Sequence, residues 1–70
     1  SKLNLNDKIT SILEEPLYKM KAEKERELRE LKRLLKQEKD EYFITQYNKE
    51  LDTKNSDLET IQRWIEKVNS

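Results

Sequence analysis

The sequence predicts an all-α, elongated fold in which one long, near-continuous helix forms a coiled coil. Three observations predict it. There is no glycine in 70 residues and the single proline, Pro16, lies near the start, so the residues that let a backbone turn sharply are almost missing. Charged residues make up 43% of the chain against 33% hydrophobic, too little apolar surface for a lone helix to wrap into an interior of its own. The apolar residues that do occur recur at heptad spacing, the pattern of a helix that lies against another helix.

The first element is a short helical entry, residues 1–16. Leu3, Leu5, Ile9, Ile12 and Leu13 give it an apolar face at helical spacing, with Asn4 or Asn6 as its cap and Asp7 in its first turn. Pro16 removes a backbone donor and disfavours helical geometry at Glu15. A kink or a break is therefore expected between Leu13 and Leu17, and Ser11 with Glu14 has the capping-box spacing of a restart.

The second element is a coiled-coil helix over residues 17–70, in which Glu, Lys, Arg, Leu and Gln dominate. All are strong helix formers. Unbroken from Leu17 to about Asn69, it would be a rod on the order of 80 Å long at ~1.5 Å per residue. Glu25–Arg29, Glu50–Lys54 and Glu59–Arg63 are i, i+4 pairs in the favourable order, each adding a few tenths of a kcal/mol. The polar run from Asp52 to Asp57, with Ser56 and Glu59 at capping-box spacing, offers a place for a hairpin. The heptads pass through it without a shift, which favours continuous helix there.

The stripe itself is specific. With Ile44 at position a, the a positions are Ile44, Leu51, Leu58 and Ile65 and the d positions Tyr47, Lys54, Ile61 and Val68. Only Lys54 is polar, and a single polar residue in a seam specifies register at some cost in stability. Carried backwards the frame meets Asp40, Gln37, Arg33 and Glu30; the upstream segment uses Leu28, Leu31 and Leu35 instead, preceded by Met20 and Leu17. The seam therefore slips within residues 37–43, where a supercoil is locally rewound or the partner changes. The expected partner-binding residues are Leu28, Leu31, Leu35, Ile44, Tyr47, Leu51, Leu58, Ile61, Ile65 and Val68. Phe43 and Trp64 flank the stripe and widen it toward a third or fourth helix.

Other classes of function lack raw material. With no histidine, cysteine or glycine-rich loop, the chain holds no thiolate, no metal-ligand spacing and no phosphate cradle. Glu14–Glu15 and Asp40–Glu41 are adjacent, and adjacent residues on a helix do not face each other. No enzyme, cofactor, metal or small-molecule substrate is expected. Fifteen basic residues balance fifteen acidic ones, so no global field draws the chain to nucleic acid or membrane. Residues 19–39 carry nine basic side chains, but Glu23, Glu25, Glu27, Glu30 and Glu38 are interleaved and would repel phosphates. A nucleic-acid-binding helix is the weakest of the readings. No apolar run reaches the ~20 residues of a membrane span. A cytoplasmic setting suits the absence of cysteine, and the serine at each end suits a segment of a longer protein.

Two patches carry a family resemblance. Lys19-Met20-Lys21-Ala22-Glu23 followed by Glu27-Leu28-Arg29-Glu30-Leu31-Lys32-Arg33, and later Lys54-Asn55-Ser56-Asp57-Leu58-Glu59 followed by Ile65-Glu66-Lys67-Val68, resemble the coiled-coil stalk of the tumour-susceptibility-gene subunit of ESCRT-I. The patches come in the family's order and cover about half of the chain. The spacing between Met20 and Leu28 is shorter than the family's. The resemblance implies a role in multivesicular-body sorting of ubiquitinated cargo, endosome association, and winding with the other core ESCRT-I subunits through Leu28, Leu31, Leu35, Leu51, Leu58, Ile61, Ile65 and Val68. It brings over no ubiquitin-contacting residue. The alternative is a scaffold coiled coil of another tethering, cytoskeletal or kinetochore complex. In every case the function expected is oligomerisation, homomeric or heteromeric, through the heptad seam.

Overall fold

The computed structural model describes residues 5–70, the side chain of Asn6 excepted. They form two helices, α1 over Leu5–Gln37 and α2 over Glu41–Asn69, packed antiparallel along their length in a body 59 × 15 × 11 Å. The all-α, coiled-coil character stands, and no strand occurs among the described residues. The uninterrupted rod from Leu17 does not. The chain reverses at residues 38–40, so the helix that covers the apolar stripe is its own. The chain's own second helix thus fills the seam where a partner helix was expected.

The reversal needs no glycine because side chains do the work a left-handed residue would otherwise do. The amide of Glu38 still donates to the Leu34 carbonyl (3.0 Å), completing the last turn of α1. The Glu38 carboxylate then accepts from the amides of Lys39 (3.2 Å) and Asp40 (3.1 Å), satisfying two donors that have left the helix. Asp40 sits in extended geometry as the N-cap of α2. Its carboxylate accepts from the Tyr42 amide at 2.9 Å, and its carbonyl accepts from the Ile44 amide at 3.0 Å. No residue among those described has positive φ. Lys36 at the end of α1 and Glu41 at the start of α2 complement the helix dipoles that meet at the turn.

Pro16 lies inside α1 and does not interrupt it. Its missing donor costs one i→i−4 bond, and the long helix that follows fixes the chain on the C-terminal side. Ser11 and Glu14 lie within α1 and restart nothing; Asn6 also lies within α1, which already begins at Leu5, so it is not the cap, and the expected cap Asn4 and Leu3 fall outside what is described. The polar run Asp52–Asp57 is continuous helix, as its unshifted heptads predict. Thr45, Thr53 and Thr60 turn their hydroxyls back onto the carbonyls of Glu41 (2.9 Å), Lys49 (3.2 Å) and Ser56 (3.1 Å), which lets β-branched polar residues stay in the helix.

The core is a single seam. Leu28 and Leu31 of α1 are 6% and 5% exposed, and Ile61 and Ile65 of α2 are 3% exposed. Burying each contributes about 1.5–3 kcal/mol. Among the described residues these four make a thin core, consistent with the difficulty of stabilising a chain this short.

Candidate helix-docking site

The ten residues expected on the partner-binding stripe all lie in this seam. Leu28, Leu31, Ile61 and Ile65 are buried; Leu35, Ile44, Tyr47, Leu51, Leu58 and Val68 are half-buried. On α2 every a and d position of the Ile44 frame, Lys54 included, is withdrawn from solvent. On α1 the facing line runs through Leu17, Lys21, Lys24, Leu28, Leu31 and Leu35 at alternating spacings of four and three, each buried or half-buried. The phase slip within residues 37–43 marks the place where one stripe ends and the other turns to face it.

Where α1 offers lysines to the seam, charge sets the register. Lys54 Nζ donates to Glu27 Oε2 across the seam at 2.9 Å. Lys24 Nζ approaches the same oxygen at 3.7 Å and reaches Asp57 Oδ2 at 3.8 Å. Two carboxylates, one from each helix, thus alternate with two ammonium groups, and the lysine stems lie along the apolar seam. The hydrogen bond from Lys54 is the main reason the Glu27 carboxyl is held below its ordinary value; partial desolvation opposes it and the charge of Lys24 adds to it. The same bond raises Lys54, against desolvation. On the outer face Glu30 accepts from Arg33 Nε at 2.9 Å, an i, i+3 pair that lowers the carboxyl. Lys54, placed at a d position by its spacing, is the register element that position suggests.

Both cross-seam pairs imply one register, and that register sets Asn69 level with Ile12. The first turns of α1 therefore project past the end of α2. Around this open end the apolar surface remains uncovered. Leu13, Pro16 and Leu17 of α1 with Trp64, Lys67 and Val68 of α2 line a groove of about 370 Å³. A neighbouring hollow of about 280 Å³ lies between Met20 and Lys24 on one side and Asp57, Thr60, Ile61 and Trp64 on the other. Trp64, half exposed at 51%, is the wall common to both. Its position at the edge of the seam follows from its place beside Ile65. The groove on α1 was not among the expected site residues, although Ile9, Leu13, Leu17 and Met20 carried its signal in their spacing.

The other flanking aromatic stands at the opposite end. Phe43 packs edge-on against Tyr42 (centroids 5.2 Å, 80°) and offset-parallel with Tyr47 (6.3 Å, 29°), a short ladder over the turn. Phe43 and Trp64 accordingly belong to two separate surfaces. Among the described residues no helix is long and apolar enough to cross a membrane, and no three acidic side chains converge as a metal site would require.

Fold and site together define an antiparallel helical hairpin whose seam is closed along most of its length and open at one end. Comparison with protein-family models, with curated proteins and with solved structures finds no match for this chain.

Proposed function

We propose that the hairpin is an assembly element, which acts by docking helices of other protein chains against its open end. The observation that supports this most directly is the uncovered apolar surface of Leu13, Pro16, Leu17, Met20 and Trp64, contiguous with a core that, among the described residues, buries four side chains. A short hairpin with so thin a core gains stability from any helix that extends the seam. Aromatic and methionine side chains at such an edge supply large contact area and adapt to a partner's shape.

The ESCRT-I setting rests on the two resembling patches. In the hairpin they lie side by side, linked by Lys54–Glu27, whereas a stalk would space them along a rod. A scaffold role in another tethering, cytoskeletal or kinetochore complex draws on the same surface. Co-purification with the remaining core ESCRT-I subunits separates the two. Capture by the native chain and loss on Met20→Lys support the endosomal setting, and failure of the native chain to bind refutes it.

A further inference from the structure

We infer that the open end is covered by a second copy of this chain, its α1 running antiparallel to the first about a two-fold axis between Ile12 and Leu13. This inference rests on the assembly reading and names the partner.

The sequence of α1 carries a symmetry that points to this occupant. Along one flank of the seam, at the N-terminal end of α1, the apolar residues are Leu5, Ile9, Ile12, Leu13, Pro16 and Met20; Tyr18, also exposed, lies on another face and outside this pattern. Their positions are palindromic. Reversed about the midpoint of Ile12 and Leu13, Leu5 falls on Met20, Ile9 on Pro16, and Ile12 on Leu13. At ~100° per residue all six lie within an arc of about 100°. A two-fold interface requires a patch complementary to itself, and this arrangement meets that requirement without any shift of register. A parallel pairing, or a foreign helix, makes no such demand on the pattern.

Area supports the same occupant. Exposure runs from 40% at Met20 and 51% at Trp64 to 70% at Ile12 and 71% at Leu5. Those side chains, with Ile9 and Leu13, leave on the order of 600 Å² of apolar surface on each copy, against the ~800 Å² that each partner of a stable interface buries with its polar rim included. The patch also continues the established seam, because Leu17 is half-buried against α2 and lines the groove beside Leu13. Since α2 ends level with Ile12, the projecting turns of one copy lie beside the α1–α2 pair of the other, with Trp64 level with the second copy's Lys8 and Ile9. Within residues 5–20 two basic side chains stand against three acidic ones, so no strong like-charge repulsion opposes the approach.

Sedimentation equilibrium from about 1 to 300 μM tests the inference. The native chain should pass from the mass of one copy, 8.6 kDa, to that of two. Ile12→Lys, at an exposed position that leaves the hairpin's helicity intact by circular dichroism, should weaken association at least 100-fold, while Phe43→Lys at the far end should leave it unchanged. The chain has no cysteine, so orientation can be read by oxidation. Ile12→Cys, beside the axis, should cross-link to its own copy. Leu5→Cys, which antiparallel pairing holds roughly 20 Å from its counterpart, should not. A native chain monomeric throughout, a dimer indifferent to Ile12→Lys, or cross-linking through Leu5→Cys as efficient as through Ile12→Cys would each overturn it. A monomer that still co-purifies with ESCRT-I subunits would overturn the self-pairing alone; a dimer that captures none would remove the endosomal setting alone.

Discussion

Among single residues, Glu27 and Lys54 do most to decide how the two helices align. A leucine at position 54 would pack with its neighbours in several registers; an ammonium group that must find the Glu27 carboxylate does so in one. The direction of the Glu27 shift fixes the pH at which this matters. Its carboxyl titrates lower in the folded chain than in the unfolded one, so its contribution is complete above the ordinary glutamate range and is lost as pH falls through the depressed value. Lys54 shifts upward, so its share is present below the ordinary lysine range and disappears only as pH rises through the raised value. We expect the thermal midpoint to fall as pH is lowered from about 6 to about 3, and to fall less steeply in Glu27→Gln. Glu30, lowered by Arg33, supplies part of the residual slope. Identical pH profiles for the two proteins, followed by circular dichroism, would deny the cross-seam pair a role.

The elements show why a chain with no glycine still turns. The seam, its phase and the change of phase within residues 37–43 were legible in the sequence, because heptad spacing is imposed by burial and burial is what the folded chain supplies. The turn itself was not. A search for glycine or proline looks for backbone freedom, whereas this reversal is stabilised by carboxylates, with Glu38 holding two free amides and Asp40 capping α2. Asp40 before a run that resumes with Glu41 is the signal that could have located it. At Pro16 the expected break does not occur, since a proline ends a helix only where the flanking turns lack other support. Asp40→Ala should cost about 1 kcal/mol in chemical denaturation, while Asp40→Asn, which keeps the acceptor, should cost little. Equal stability of all three chains would mean that the cap does not hold the turn.

At the scale of the whole molecule, the hairpin reconciles a composition poor in apolar residues with an ordered fold. Neither helix encloses a core, and each covers the stripe of the other. The open end is what remains once α2 has run out, and it is there that assembly is proposed. Of this surface the sequence disclosed Trp64 as a flanking residue and the apolar spacing of the entry segment. It could not disclose that the two meet, because their proximity follows from the reversal at residues 38–40.

That reversal within one chain is the claim on which the rest depends, and a spin-label distance measures it directly. With labels on Glu23→Cys and Glu59→Cys, both at exposed positions, a continuous helix would separate the sites by roughly 54 Å. The hairpin places them on neighbouring helices with axes about 10 Å apart, so pulsed dipolar spectroscopy should return a distance below about 30 Å. That distance should persist when labelled chain is mixed with a large excess of unlabelled chain. A separation near the rod value, or a short distance that vanishes on such mixing, would contradict the account.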